Sequence, residues 1–229
     1  ISDIPKYFSV SDDNKVHGLD IVSYNPMAMR FIRNQASHWY DLGIQETRRM
    51  TTESGMSIEG TPEHPIITVN ETNGCLEFKK LSELKVGDYS VVATDTNLFG
   101  ANHVLPHSDV AYFLGVLVGD GCLTIKNRIC LTAADPEIVN KVQAISREHL
   151  GEEFSKSCSR PYDYELSSVE SKRKLINWGL SETYARYKKV PESITLSSKE
   201  YVVAFLKGLF DTDGYVEKKG SVGISSASK

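Results

Sequence analysis

The chain has 229 residues, a formal charge of −4 at pH 7 and a hydrophobic content of 40%. This length and apolar content suit one large domain or two ordinary ones and argue against a disordered chain. The longest apolar run, residues 111–118, is too short to cross a bilayer. We therefore expect no contact with a membrane. The four cysteines have no CxxC or zinc-site spacing, so we expect reduced thiols in an intracellular protein.

The mild acidity argues at first against a nucleic-acid partner, for which a basic balance is typical. The charge is unevenly distributed, however. Residues 1–107 carry a net charge of −5 and residues 108–229 carry +1. The second half can therefore still present a basic face.

The first half predicts an all-β domain, because short segments rich in β-branched and aromatic residues alternate with turn signals. A helical turn is expected at residues 81–84. We place this domain at residues 1–95 and a linker at residues 96–108. The predicted strands are Leu19–Tyr24, Arg48–Thr52, Ser57–Glu59, Ile66–Val69 and Tyr89–Ala93.

Residues 109–229 predict an α+β domain in which helices alternate with hairpins. A first helix, capped by Ser108 or Asp109, is expected to end near Gly119. A capping box of Ser197 and Glu200 predicts the start of the last helix. Between them the pattern predicts strands at 122–125, 128–132, 153–158 and 162–167 and helices at 136–150 and 169–178; strands at 215–217 and 222–225 follow the last helix.

An internal repeat carries the chemistry. Residues 113–121 and 206–214 are both apolar helix ends that contain a glycine and close on Asp-Gly. Small residues at four-residue spacing predict close packing of the two helices. That packing would bring Asp120 and Asp213 together at helix C-termini, where carboxylates are disfavoured unless a cation lies between them. Mg²⁺, with Mn²⁺ as an alternative, suits such oxygen ligands and metal-assisted phosphodiester hydrolysis.

The two segments resemble the paired motifs of LAGLIDADG homing endonucleases of the DOD type. The resemblance implies αββαββα half-units, the second of them truncated here, and metal-binding and catalytic roles for Asp120 and Asp213. The earlier motif acid is kept as Asp211 and replaced by Val118 in the first copy. The segment 187–194 is similar to the family's Lys-x-Ile-Pro block, which implies a catalytic role for Lys188, with Lys189 as the adjacent alternative.

The segment Gly60–Val69 resembles the Thr-x-x-His block of inteins and related Hint domains. The resemblance implies that Thr61 orients a scissile amide and that His64 donates a proton to its nitrogen, with no cofactor. Inteins begin with Cys or Ser and close with His-Asn, whereas this sequence begins with Ile1 and ends with Lys229. We therefore expect an incomplete chain, with splicing only in the complete protein.

We expect a monomer whose partners are double-stranded DNA with a long asymmetric target site and the flanking host-protein segments (exteins). The alternatives are a non-catalytic DNA-binding protein of LAGLIDADG type and a Hint autoprocessing module with a decayed nuclease insert. Polar and basic residues of the predicted hairpins are candidate DNA contacts, because such side chains bind phosphates and base edges. They are Thr124, Lys126, Asn127, Arg128, Lys156, Arg160, Tyr162 and Tyr164.

Overall fold

The computed structural model describes residues 3–25, 28, 30–94, 96–101 and 104–228. Ile1, Asp95 and Lys229 lie outside these residues. The chain divides into two compact units, residues 1–97 and residues 98–229. The fold is mixed α/β with small antiparallel sheets.

The first unit consists of a short helix and antiparallel hairpins. Each hairpin is a separate two-stranded sheet, and a 3₁₀ turn at Leu81–Glu83 follows the last one. Four of the five predicted strands match observed strands to within one residue at each end, whereas the strands at Arg30–Gln35 and Leu76–Lys80 were not predicted. The elements are α1 (Ile4–Tyr7), β1 (Asp20–Asn25), β2 (Arg30–Gln35), β3 (Arg48–Thr51), β4 (Ser57–Gly60), β5 (Pro65–Val69) and β6 (Leu76–Lys80).

The strand predicted at Tyr89–Ala93 is reduced to a single bridge between Thr68 and Ser90. The amide of Val69 donates to the Tyr89 carbonyl at 3.0 Å, and the amide of Val91 donates to the Ile67 carbonyl at 3.0 Å. Tyr89, Val91 and Val92 remain exposed. Because little packs against these side chains, the ladder does not extend further along the segment.

The second unit begins with the order α–β–β–α–β–β–α that the resemblance implies. The four strands between these three helices form one antiparallel sheet in the order β7–β8–β10–β9. These elements are α2 (Ser108–Asp120), β7 (Gly121–Cys122), β8 (Ile129–Thr132), α3 (Pro136–Leu150), β9 (Ser155–Lys156), β10 (Asp163–Leu166) and α4 (Val169–Asn177). A 3₁₀ turn (Ala185–Tyr187), α5 (Glu192–Thr195), α6 (Lys199–Asp213) and the hairpin of β11 (Gly214–Val216) and β12 (Val222–Ile224) follow.

Two of the predicted helix caps are wrong. Helix α2 is capped by His107, whose Nδ1 accepts a hydrogen bond from the Asp109 amide at 3.2 Å. The capping box at α6 does not form, because the buried Ser197 hydroxyl donates to the Ser193 carbonyl at 2.5 Å. Ser198 is the N-cap residue and makes no side-chain capping bond.

The core of the second unit surrounds α2, in which the side chains from Val110 to Leu117 are buried. The sheet packs one face against this core through Ile129, Leu131 and Leu166. Lys172 is also buried, whereas its Lys-Arg-Lys run predicts a solvated helix face. Within the described ranges, no helix has the length and apolar character needed to span a bilayer.

Candidate active site

Helices α2 and α6 pack with their backbones in contact, and the contact is reciprocal. A Cβ at Gly115 would lie 2.1 Å from the Phe205 carbonyl oxygen, and a Cβ at Gly208 would lie 2.1 Å from the Tyr112 carbonyl oxygen. Gly208 is the repeat counterpart of Gly115, and Phe205 is that of Tyr112, each 93 positions further along the chain, so the second contact repeats the first with the two helices exchanged. The predicted close packing is therefore confirmed, and an approximate two-fold axis relates the two helices.

The same relation holds where the helices end. The amide of Gly121 bonds to the Leu117 carbonyl, and the amide of Gly214 bonds to the Phe210 carbonyl. A Cβ at Gly121 or Gly214 would lie 2.5 Å or 2.3 Å from these carbonyl oxygens. Each Asp-Gly pair thus lets the chain fold back onto its own last helical turn, which a side chain would block.

The two aspartates of the repeat lie near each other at this end of the helix pair. The Asp213 Oδ2 atom is 3.5 Å from the position that a Cβ would occupy at Gly119. Asp120 is accessible as a residue, but partial burial of its carboxyl group and the charge of Asp213 raise its pKa, against the effect of Lys188. Ionisation of Asp120 is therefore unfavourable without a compensating positive charge nearby.

Lys188 supplies part of that compensation in a way that the sequence pattern does not indicate. Its ammonium group donates to the carbonyl oxygens at the end of α2 and at the start of β7. These acceptors are Leu117 at 3.1 Å, Val118 at 2.8 Å, Gly119 at 3.1 Å and Gly121 at 2.7 Å. Lys188 therefore caps the C-terminus of α2, where carbonyl groups lack helical partners and the dipole is negative.

The surroundings of Lys188 also affect its own charge. Burial lowers the pKa of the ammonium group, and Cys122, Asp213 and Asp120 oppose this shift. Lys189, its neighbour, is exposed and makes none of these contacts. The structure thus separates the two lysines, although the sequence block leaves both as candidates.

The donor set at the helix ends fits a small divalent cation. Mg²⁺ in proteins is commonly held by one or two carboxylates, with waters and substrate phosphates as further ligands. Among the described residues, no group of three or more His, Cys, Asp or Glu side chains could hold a metal ion. Asp120 and Asp213 can offer two carboxylates to a cation that takes its remaining ligands from water and substrate.

Asp211, the earlier acid of the second motif, has a different environment. The Tyr112 hydroxyl donates to Asp211 Oδ2 at 2.8 Å, and the Lys141 ammonium lies 3.3 Å from the centroid of the Tyr112 ring. Burial first, and Asp211 second, raise the pKa of Tyr112. The Asp211 carboxylate thus accepts a hydrogen bond from Tyr112 at the side of the helix pair. Val118 occupies the corresponding position in the first motif.

Four of the candidate DNA contacts are brought together by the turn between β7 and β8. Thr124, Lys126 and Asn127 are exposed and Arg128 is half-buried. Asn127 has a φ of +55°, a left-handed conformation that asparagine tolerates better than most residues. The buried Lys172 fixes this turn, because its ammonium donates to the Ile125 carbonyl at 2.8 Å and pairs with Glu182 at 2.5 Å.

The sheet face opposite the core also carries acidic groups, which the candidate DNA contacts did not include. Glu165 lies opposite Cys130 and pairs with Arg128 at 3.0 Å, and Asp163 pairs with Arg160 at 3.2 Å. Both arginines are thus partly neutralised before any DNA is present.

The remaining candidate contacts lie at the second hairpin. Lys156, Arg160 and Tyr162 are exposed. Tyr164 is half-buried and packs against the core, and Lys156 is its register partner on β9, so these two lie on the helix-covered side of the sheet. The structure therefore groups the four residues of the first turn and does not bring Tyr164 to the same face.

Thr61 and His64 occupy the turn between β4 and β5 of the first unit. The His64 amide donates to the Thr61 carbonyl at 2.9 Å, and the His64 carbonyl accepts from Leu81 at 2.8 Å. A Cβ at Gly60 would lie 3.2 Å from the His64 Cβ, so glycine allows the imidazole to lie against the strand end. Thr61 is half-buried and His64 is exposed.

Residues 200–229 match the family model of the LAGLIDADG-like domain. The matched residues include most of α6, with Asp213, and the β11–β12 hairpin. This part of the chain supports a homing endonuclease, because it contains one of the two acids of the repeat.

Longer alignments relate the chain to proteins with different names. It is 25% identical over 207 residues to a replicative DNA helicase DnaB of Rhodothermus marinus, covering 85% of this chain and 21% of the helicase. It is 35% identical over 127 residues to a probable translation initiation factor IF-2 of Methanocaldococcus jannaschii, covering 52% and 10%. It is 27% identical over 187 residues to a ribonucleoside-diphosphate reductase NrdEB subunit alpha of Bacillus subtilis, covering 75% and 17%. The chain thus spans about a fifth or less of each of these relatives.

Proposed function

We propose that this chain belongs to an intein that carries a site-specific DNA endonuclease, and that Asp120 and Asp213 form the centre at which DNA is cut. The observation that carries the proposal is the reciprocal packing of α2 and α6, which presents one carboxylate from each repeat at the same end. Paired carboxylates at two-fold-related positions suit a substrate with two antiparallel strands.

Each residue of the centre has a separate task in this proposal. Asp120 and Asp213 offer oxygen ligands, and a bound Mg²⁺ would supply Lewis-acid activation of water and of the leaving oxygen. Lys188 is a positioning residue, because its bonds to four carbonyl groups hold the end of α2 from which Asp120 projects. Its charge also reduces the repulsion between the two acids.

The turn between β7 and β8 is the best-supported DNA contact surface. Lys126 and Asn127 project from its tip, and Lys172 holds the turn from beneath. Lys and Arg suit phosphates and guanine edges, and Asn suits adenine. An enzyme built from two half-units of different sequence should read a long, asymmetric duplex site inside the cell.

The relatives support the intein part of the proposal. A helicase, an initiation factor and a reductase subunit have no activity in common, yet this chain aligns with a minor part of each. A shared minor segment in otherwise different proteins is typical of an insertion. We propose that Thr61 orients the amide at the insertion boundary and that the exposed His64 protonates its departing nitrogen.

A DNA cleavage assay with the complete protein tests the nuclease. We expect Mg²⁺-dependent double-strand cleavage of DNA that carries the uninterrupted insertion site. Asp120→Asn and Asp213→Asn should each abolish cleavage while DNA binding, measured by gel shift, is retained. Binding without cleavage by the wild type would instead support a non-catalytic DNA-binding protein.

A splicing assay tests the first unit separately. The chain is expressed within its natural flanking sequence, and products are separated by mass. We expect His64→Ala to block cleavage at the N-terminal boundary, whereas His38→Ala, at an exposed histidine in the same unit, should not. Unchanged splicing in His64→Ala would remove His64 from the mechanism, and splicing without DNA cleavage would favour an autoprocessing module with a decayed nuclease.

A further inference from the structure

Two cysteines of the second unit face each other across a pair of strands. Cys122 on β7 and Cys130 on β8 are direct register partners in the antiparallel ladder. Both are free thiols and both are half-buried. They lie on the sheet face opposite the buried Ile129 and Leu131, so reagents in solution can reach them.

The spacing of such partners suits a covalent bond. Residues directly opposite each other in antiparallel strands have Cα atoms about 4.5 or 5.5 Å apart, and disulfides span about 4.4–6.8 Å. Both spacings therefore fall within the disulfide range. We propose that Cys122 and Cys130 form a reversible thiol–disulfide modification site that closes the β7–β8 hairpin.

The reaction needs a low-molecular-weight disulfide such as oxidised glutathione. The Cys122 sulfur attacks one glutathione sulfur, the S–S bond breaks, and one glutathione leaves with the proton of Cys122. The Cys130 sulfur then attacks the Cys122 sulfur of the mixed disulfide, and the second glutathione leaves with the proton of Cys130. The dithiol is oxidised by two electrons, and glutathione disulfide is reduced to two thiols.

The bridge would close a loop over residues 123–129, which holds Thr124, Lys126, Asn127 and Arg128. At present the Cys122 sulfur lies 3.2 Å from the Thr124 hydroxyl, and disulfide formation redirects that sulfur toward Cys130. If this turn contacts DNA, which rests on the function proposed above, oxidation reshapes a DNA-contact surface and lowers the affinity for DNA.

Mass spectrometry tests the bridge without any activity assay. A Cys75→Ser/Cys158→Ser background removes the two exposed cysteines that could form other disulfides. After treatment with oxidised glutathione, we expect this protein to lose the mass of two hydrogen atoms. Trypsin cuts after Lys126 and Arg128, between the two cysteines, so the resulting fragments should stay joined until a reductant is added.

Adding Cys130→Ser to the same background gives the matched control. Cys122 then has no resolving partner, so the protein should stop at the mixed disulfide and keep one glutathione. If the background protein that retains both cysteines also keeps bound glutathione, or forms only dimers, the intramolecular bridge is overturned.

Gel shifts on the same samples test the consequence for DNA. We expect oxidation to weaken DNA binding by the protein with both cysteines and to leave unchanged the DNA affinity of a variant that also carries Cys122→Ser and Cys130→Ser, because that variant can form neither the bridge nor a mixed disulfide. Equal affinity of the oxidised and reduced forms would overturn the link to DNA. Failure of both forms to bind DNA would instead overturn the proposed function, and the mass result would still decide whether the bridge forms.

Discussion

The two units of the chain differ most in how much apolar surface they bury. Among the described residues of 98–229, 21 buried hydrophobic residues form a continuous cluster around α2. In residues 1–97 the described buried hydrophobic residues are Val16, Ile66 and Leu81. Other apolar side chains there remain exposed, including Ile44 at 104% and Val86 at 109%.

This difference shows how each unit places its functional groups. The second unit fixes Asp120 and Asp213 through helices whose backbones touch, so the position of each acid depends on a packed core. The first unit places Thr61 and His64 on a turn between two separate hairpins. Because hairpins without a shared core are marginally stable, the turn depends on local hydrogen bonds.

The largest expected effect comes from the contact between the helices. Gly115→Ala places a Cβ 2.1 Å from the Phe205 carbonyl oxygen, which belongs to a backbone that cannot move aside easily. We expect the free energy of unfolding of the second unit to fall by about 3 kcal/mol or more. Urea unfolding measures this loss, followed by fluorescence of Trp178 in a Trp39→Phe background.

Gly74→Ala in the first unit is the matched control. A Cβ at Gly74 meets no atom within 4 Å, although its φ of +70° disfavours alanine by about 1–2 kcal/mol. In a Trp178→Phe background Trp39 reports on that unit, and in the Trp39→Phe background the Trp178 transition should not move. If Gly115→Ala leaves the urea transition of Trp178 unchanged, the contact between α2 and α6 does not determine the stability of the second unit.

The next effect concerns the cap on α2. Lys188→Met removes the ammonium group from four carbonyl acceptors, and a hydrogen bond to a charged group contributes about 1.5–3 kcal/mol. We expect a loss of about 2 kcal/mol in the free energy of unfolding of the second unit.

The adjacent lysine provides the comparison. Lys189→Met changes an exposed side chain and should alter the stability by no more than about 0.5 kcal/mol. Equal losses in the two variants would show that Lys188 does not cap α2. A Lys188→Met protein of unchanged stability that no longer cuts DNA would favour a direct role of Lys188 in the reaction.

The smallest expected effect is the dependence of stability on pH at Asp120. Burial and the charge of Asp213 raise the pKa of this acid in the folded protein, so the folded state holds the proton more tightly than the unfolded state. The free energy of unfolding should therefore fall as the pH rises from the ordinary aspartate pKa through the raised value. Without metal ions, Asp120→Asn should flatten this fall and stabilise the protein at neutral pH by about 0.3–1 kcal/mol.

Urea midpoints measured at several pH values in a chelating buffer check this prediction. The first unit, followed through Trp39, should show the same pH profile in the wild type and in Asp120→Asn. A variant that is less stable than the wild type at neutral pH would show that Asp120 does not experience the repulsion inferred from its surroundings.

The repeat made much of the second unit predictable from the sequence. Glycine spacing predicts the contact of α2 with α6, and the Asp-Gly pairs predict the shared helix ends, because small residues and sharp turns impose local steric rules. Asp135 caps α3, and Gly151 ends it with a φ of +76°, as caps of these types commonly do.

Features that depend on distant partners could not be predicted in this way. Lys172 is buried because its ammonium group donates to the Ile125 carbonyl and pairs with Glu182. The pairing of Cys122 with Cys130 depends on a register that is set by the hairpin turn. Each of these is a tertiary contact that no local pattern in the sequence specifies.

The most direct test of the paired-acid centre is a Mn²⁺ titration of the chain followed by electron paramagnetic resonance. We predict that the wild type binds Mn²⁺ and that Asp120→Asn and Asp213→Asn each lose this binding, because each variant removes one ligand of a shared centre. Asp211→Asn should keep this binding, since that carboxylate binds the Tyr112 hydroxyl instead. Unchanged Mn²⁺ binding in both Asp120→Asn and Asp213→Asn would contradict a cation centre at the ends of α2 and α6.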